Sequence, residues 1–280
     1  MTTIGLQGRT IAITGASSGI GRATALLCAR QGMNVVVGAR REDRLRELVE
    51  QITQAGGHAA SVVMDVTAPG DNQRLIDAAL EKFGSLYSVF SNAGYGAERR
   101  VLDYTRAELD RIFNTNFWSS LELCQLAARY MLANNPGPHK GHVLLCSSCV
   151  SKIGLPNFAA YSATKALQDH FGRAMRIELA NSGVYVSTVH PIGTRTEFFD
   201  TAKELSGGAR VSIQTPESFK QPAETVAKAI VRCLKKPKGE VWTSFPMRAG
   251  LALATLMPGL TDRLLRSKQL RLTARDAPKT

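Results

Sequence analysis

The sequence predicts an α/β protein: a doubly wound, mostly parallel sheet of seven strands with helices on both faces. Three observations lead there. Short β-branched apolar runs alternate with segments of helical period along most of the chain, the pattern of parallel strands joined by crossover helices. A glycine-rich turn joins the first apolar run directly to the first helical one. The 280 residues have an ordinary apolar content and no Ser/Gly/Pro-rich linker or internal repeat, which suits one large domain.

Residues 10–14 (Thr-Ile-Ala-Ile-Thr) read as a buried strand. Gly15-Ala-Ser-Ser-Gly-Ile-Gly21 follows, and residues 22–31 are helical, with Gly32 placed to end the helix. Glycines between a strand and a helix allow a tight turn, and the free N–H groups at the helix start can hold a diphosphate. Residues 34–38 form the second strand. Its end carries Ala39, Arg40 and Arg41 instead of the acid that would hold an unmodified ribose 2′-hydroxyl. Two guanidiniums without a carboxylate suit a 2′-phosphate, so NADP is favoured over NAD.

The solvated helix 42–54, strand 59–64, helix 71–83 closed by Gly84, and strand 86–91 come next. The third strand ends at Asp65 and Val66, the fourth at Asn92, Ala93 and Gly94. Residues 106–134 read as one long helix, although Asn114 and Asn116 are poor helix formers in its middle. Strand 142–147 ends at Ser148, and helix 157–180 contains Tyr161-Ser-Ala-Thr-Lys165. Residues four apart share a helix face, so the phenol and the ammonium point the same way. A fixed cation favours the phenolate, and the pair is expected to lower the Tyr161 pKa toward neutrality. Strand 184–189 leads to His190-Pro-Ile-Gly-Thr-Arg-Thr196, where His190 reads as structural rather than as a base. Residues 198–219 read as a loop that orders over a ligand, 223–235 as a helix and 240–244 as the seventh strand. Residues 247–272 hold apolar pieces punctuated by bases.

The net charge of +12 is uneven: from Arg232 onward eleven basic residues face three acids. No nucleic-acid motif accompanies them, so no nucleic-acid partner is expected. The stretch 249–260 is too short to span a bilayer and is interrupted by Pro258. The chain shows no signal-peptide pattern and is read as cytoplasmic. The basic end is read as packed on the domain or a partner subunit, in preference to lying on an anionic membrane surface. Five cysteines do not suggest a disulfide framework. Cys146-Ser-Ser-Cys149 reads as two small buried side chains rather than a redox pair, and no metal site is expected.

Taken together, these motifs resemble the short-chain dehydrogenase/reductase family in its plain single-domain, Rossmann-like form, over roughly residues 8 to 245. Thr14-Gly-Ala-Ser-Ser-Gly-Ile-Gly21 is similar to the family's cofactor loop, with Gly15, Ser17, Ser18, Gly19, Ile20 and Gly21 as implied contacts. Asp65 and Val66 match the adenine contact, and Asn92-Ala93-Gly94 the family's Asn-Ala-Gly turn. Asn116 matches the asparagine that orders a relay water, Ser148 the active-site serine (preferred to Ser147 by spacing), and Tyr161 and Lys165 the Tyr-x-x-x-Lys pair. Thr194 and Thr196 are implied cofactor contacts beyond the sixth strand. There the family's Pro-Gly is replaced by Pro191-Ile192, and Ile cannot adopt positive φ cheaply.

The resemblance implies a catalytic, dinucleotide-binding domain over residues 1–245 and a C-terminal extension over 246–280. It implies hydride transfer between NADP (NADPH) and a carbonyl or alcohol, with NAD the less favoured cofactor. Tyr161 would act as acid/base, Ser148 would hold the substrate oxygen, Lys165 would bind the nicotinamide ribose, and a homodimer or homotetramer would form. Ile153, Leu155, Phe158, Phe198 and Phe199 suggest an apolar substrate. A non-catalytic NADP-binding sensor or interaction protein on the same fold is the alternative, although it has no need of all four reactive groups. An epimerase or dehydratase fits the glycine spacing less well.

Overall fold

The computed structural model describes residues 3–206 and 220–276, with side chains through Ser267. Strands β1 (Thr10–Thr14), β2 (Asn34–Ala39), β3 (His58–Val63), β4 (Ser88–Ser91), β5 (Gly141–Cys146), β6 (Val184–His190) and β9 (Glu240–Trp242) form one sheet in the order β3-β2-β1-β4-β5-β6-β9. Every pairing in it is parallel. Two-residue strands β7 (Thr194–Arg195) and β8 (Gln221–Pro222) pair separately.

The strand order reverses between β1 and β4, and this switch point opens the crevice where open α/β sheets bind ligands. The central strands are buried on both faces, which explains their β-branched runs. Val35 and Val37 pack into one apolar layer and Val36 into the other, as a period of two requires. Helices α1 (Gly19–Arg30), α2 (Glu42–Gln54) and α8 (Ala223–Lys235) line the first layer; α3 (Asp71–Phe83) and α5 (Ser119–Asn134) line the second. Fully buried Ile11, Ile13, Leu75 and Leu123 anchor the layers. Each would cost about 2–5 kcal/mol on truncation to alanine.

Two expectations are corrected. Residues 106–134 are not one regular helix: α4 (Arg106–Phe113) passes through a π-helical turn, Asn114–Trp118, into α5. The wider turn brings Asn116 fully inside, where its amide bonds both the N–H and the carbonyl of Tyr95 at 2.9 and 2.8 Å. The asparagine that looked misplaced is therefore the reason for the irregularity. Nor is the segment from residue 198 a loop. Phe198–Leu205 forms helix α7, begun by the Thr196 hydroxyl accepting the Phe198 N–H at 3.3 Å. Its inner face holds Ala202, and just past its end the buried Ser206 hydroxyl accepts the Glu98 N–H at 2.7 Å. Positions 207–219 of the expected loop lie outside the described residues.

The chain ends in α9 (Phe245–Leu256) and α10 (Pro258–Asp276). Helix α9 buries Leu251 and exposes Phe245, Leu253 and Leu256. Among the described residues no helix is long and apolar enough to cross a membrane.

Candidate active site

The carboxyl ends of β1, β2, β4, β5 and β6 border one cleft of about 900 Å³, running from Gly15 to Leu205. At its β1 end the glycines are there for space. Gly15 has φ +65°, and a Cβ on it would meet the Ala93 Cα at 2.9 Å. A Cβ on Gly21 would lie 2.5 Å from the Gly15 carbonyl oxygen. The Asn92 side chain ties the loop down by donating to the carbonyls of Thr14 and Gly15 at 3.1 and 3.2 Å. The Asn92 and Ala93 N–H groups both donate to the Thr14 hydroxyl. Ser18 precedes α1 without capping it through its side chain, so the helix start faces Ser17, Ser18 and Ile20 in the cleft. Backbone N–H groups at such a start suit a diphosphate, and this glycine cradle fits a dinucleotide.

Arg40 and Arg41 flank the end of β2. Arg40 is 81% exposed, its Nη1 4.0 Å from Asp65 Oδ2. Arg41 pairs with Glu197 at 2.8 Å and donates to the Ser17 hydroxyl at 3.0 and 3.2 Å. Asp65 accepts from the Thr67 N–H and hydroxyl at 2.9 and 2.7 Å. Partial burial pushes its carboxyl up, but those bonds and the Arg40 guanidinium outweigh it and hold the group below its usual value. Val66 borders the same stretch of cleft. Thr194 is buried beside β8, and the Thr196 methyl lies 2.8 Å from where a Gly19 Cβ would stand. Among the described residues only Asn157 and Asn181 are non-glycines with positive φ, so the turn accommodates Ile192 without left-handed backbone.

Ser148, Tyr161 and Lys165 converge at the middle of the cleft, as their spacing suggests. Helix α6 (Ala159–Glu178) carries the tyrosine and lysine on one face. The Ser148 hydroxyl accepts the Val150 N–H at 3.3 Å and lies beside the Tyr161 phenol, whose pKa it acts to lower. Ser147, also buried, instead spends its hydroxyl on the Lys165 carbonyl at 2.8 Å. Asn116 lies behind them; its Oδ1 sits 3.0 Å from where a Gly94 Cβ would stand, which explains the glycine. Cys146 and Cys149 are free thiols, and burial pushes both above the usual thiol value.

The expected lowering of the Tyr161 pKa is absent from the protein alone. Burial raises it, against the lowering effect of the neighbouring Ser148 hydroxyl. The Lys165 ammonium is 5.7 Å from the ring centroid and bonds elsewhere: to the Cys146 carbonyl at 2.6 Å and Gln168 Oε1 at 2.9 Å. It is 3% exposed, and burial lowers its own pKa. Gln168 was missed by sequence reasoning. Its amide joins Lys165 to the Asn116 carbonyl, donating to the latter at 2.6 Å. The signal available was a polar residue one turn beyond Lys165 on the same helix face. Glu197 was also missed, because its partner Arg41 is remote in sequence.

Phe158, Phe198 and Phe199 close the far end. The Tyr161 ring centroid lies 5.1 Å from that of Phe198 and 6.5 Å from that of Phe158.

Residues 9–206 match the family model for short chain dehydrogenases. An uncharacterized oxidoreductase of Escherichia coli K12, YbbO, is 30% identical over 265 residues, covering 92% of this chain and 94% of that protein. Another from Bacillus subtilis, YxnA, is 29% identical over 93% of this chain and 72% of its own length. A solved short chain dehydrogenase/reductase from Burkholderia phymatum, in complex with NAD, superposes with a TM-score of 0.82 at 25% identity, covering 92% of this chain and 96% of that one.

Proposed function

The chain belongs to the short-chain dehydrogenase/reductase family of oxidoreductases, and from that premise we propose that it interconverts a carbonyl and an alcohol with NADP, using Tyr161 as the acid/base. The observation that carries the reading is the meeting of Ser148, Tyr161 and Lys165 in a cleft continuous with the Gly15–Gly21 cradle. NADP, when bound, supplies or accepts the hydride. Gly15, Ser17, Ser18, Gly19, Ile20 and Gly21 would hold its diphosphate, Asp65 and Val66 its adenine, and Asn92–Gly94, Thr194 and Thr196 would wall the nicotinamide half. Arg40 and Arg41 would take the 2′-phosphate, with no acid at Ala39 to oppose it.

In reduction, the Tyr161 hydroxyl gives its proton to the substrate oxygen while Ser148 donates a hydrogen bond where negative charge develops. In the protein alone burial keeps the proton on the Tyr161 oxygen. In oxidation Tyr161 takes the proton, and the Lys165 cation opposes the cost of the buried phenolate. Gln168 and Asn116 hold that cation's surroundings rather than touching substrate. Leu155, Phe158, Phe198 and Phe199 favour an apolar carbonyl compound.

The test is a carbonyl panel with NADPH, comparing wild type with Tyr161→Phe. Loss of the acid/base is expected to lower kcat by at least ~100-fold while NADPH affinity stays within threefold. A Tyr161→Phe enzyme with full turnover would remove Tyr161 from the mechanism. Tight NADPH binding by a wild type inert across the panel would favour a cofactor-sensing protein instead.

A further inference from the structure

Helix α6 carries one more group on the face of Tyr161 and Lys165. Asp169 follows Lys165 by four residues, as Lys165 follows Tyr161. It is 6% exposed, and both its oxygens are engaged. Oδ2 accepts the Lys152 ammonium; Oδ1 accepts the Thr188 hydroxyl at 3.1 Å and faces His190 Nε2 at 3.4 Å. Burial alone would raise this carboxyl, yet bonds from His190 and Lys152 hold it well below the usual carboxylate range.

His190 is fully buried and stacks on Trp242 with ring centroids 4.4 Å apart. Its Nδ1 lies 3.2 Å from the Ser148 carbonyl oxygen and 3.4 Å from the Ser151 hydroxyl. A carbonyl can only accept, so Nδ1 carries a hydrogen and donates to Ser148. One carboxylate thus reaches both ends of the short turn after β5: Lys152 directly, and Ser148 through the His190 ring, whose Nε2 lies 3.1 Å from the Thr188 hydroxyl that the carboxylate also holds. Asp169, His190 and Glu240 bring possible metal-ligand atoms within 4.8 Å of one another. The Lys152 ammonium already serves as the cation among them, 3.4 Å from Glu240 Oε1. The cluster is therefore a set of tethers.

We propose that Asp169 and His190 are positioning residues that fix Ser148 against Tyr161, by tying the serine's backbone to the helix that bears the phenol. The inference rests on the proposed carbonyl chemistry, because it assigns Ser148 a hydrogen bond to the reacting oxygen. Such a bond is sensitive to placement: a misplacement of about 1 Å can cost ~100-fold in rate. Without the tether Ser148 can drift while the cofactor cradle, at the other end of the cleft, stays intact.

The experiment compares His190→Phe, which keeps a ring against Trp242 but has no donor, with His190→Asn, whose amide can restore the donation to Ser148. Both are assayed with NADPH and a carbonyl that wild type reduces, with NADPH Kd measured separately by fluorescence. His190→Phe is expected to lower kcat at least tenfold, with KM and NADPH Kd within threefold of wild type. His190→Asn should recover kcat to within threefold. Lys152→Met, which cuts the other tether, should lower kcat at least threefold. Wild-type kcat in His190→Phe, or equal losses in the Phe and Asn variants, would overturn the proposal. If His190→Phe does not fold, Lys152→Met decides, and an unchanged kcat there overturns it. A wild type that reduces no carbonyl refutes the underlying functional reading instead.

Discussion

Arg41 is the residue on which the proposed cofactor preference can be tested most sharply, because the structure shows what it must give up. Its guanidinium is shared between Glu197 at 2.8 Å and Ser17 at 3.0 Å, with side chains 44% and 49% exposed in the ion pair. An exposed pair of this kind is worth about 0.2–1 kcal/mol. A charge-assisted bond to a 2′-phosphate is worth about 1.5–3 kcal/mol. The difference leaves Arg41 a net contribution of about 1–2 kcal/mol, so Arg41→Ala should weaken NADPH binding roughly five- to thirtyfold. NADH, lacking the phosphate, should change less than twofold. Glu197→Gln should act in the opposite direction, since it frees Arg41 and removes a negative charge beside the phosphate; NADPH should tighten by about threefold. Both effects should shrink as salt rises, because the groups are exposed. Titrations of each cofactor followed by nicotinamide fluorescence, at low and physiological ionic strength, provide the readout. Equal loss of NADPH and NADH affinity in Arg41→Ala would refute the reasoning: Arg41 would then be holding the glycine loop through Ser17, not reading the phosphate.

Two further substitutions probe the scaffold. Gly21→Ala needs no unusual backbone angle, but its Cβ would meet the Gly15 carbonyl at 2.5 Å and Asn92 Nδ2 at 2.7 Å. Forcing that contact costs about 1–3 kcal/mol and should lower Tm and raise NADPH Kd at least tenfold; an unchanged Kd would mean that the cradle yields easily. His142, on β5, is fully buried, its Nε2 2.7 Å from the Ser187 hydroxyl of β6, and burial pushes its pKa down to about 3. Unfolded, it titrates near ~6.5. Between those values the unfolded chain binds a proton that the native state refuses, so stability falls as pH drops, by up to about 1.4 kcal/mol per unit. His142→Gln should flatten the pH dependence of the unfolding free energy between about pH 6 and 4. Asp169, with a lowered pKa, loses its contribution only as pH falls below its unfolded value of ~3.9. Identical slopes in variant and wild type would contradict a neutral, buried His142.

What could be read from the sequence is what a single element's period or turn chemistry specifies. The alternation of apolar runs and helical segments predicts the parallel sheet, since each strand's Val and Ile positions answer only to burial on two faces. The bounds of α2, α3 and α8 follow the same way from local patterning. Helix α7 was not legible because its buried face is too short to show a period, and Ser206 finds its partner at Glu98, far along the chain. Asn116 announced an irregularity, but a π-helical turn depends on the Tyr95 backbone that only the fold delivers. The spacing of Tyr161 and Lys165 gave their common face but not the direction of the ammonium. That is set by Cys146 and Gln168, and with the cation turned away it is burial that moves the phenol's pKa, upward.

Asp169 marks the boundary between the two kinds of information. By helical arithmetic it was as accessible as Lys165, one turn further along the same face. Yet a carboxylate on a helix is usually a solvated one, and nothing local distinguishes it. Its partners arrive through the fold: Lys152 from the turn after β5, Thr188 and His190 from β6, which is held on β5 in a register that sets Leu145 opposite Thr188. A one-residue slip of β6 would turn Thr188 and His190 to the opposite face and leave the carboxylate with Lys152 alone. A poorly paired buried charge is costly, so the same Asp169 that ties Ser148 to the Tyr161 helix also penalises a misregistered pairing of β6. The register of β6 and the geometry of the candidate active site are then held by one buried group, and a change at Asp169 should disturb both together.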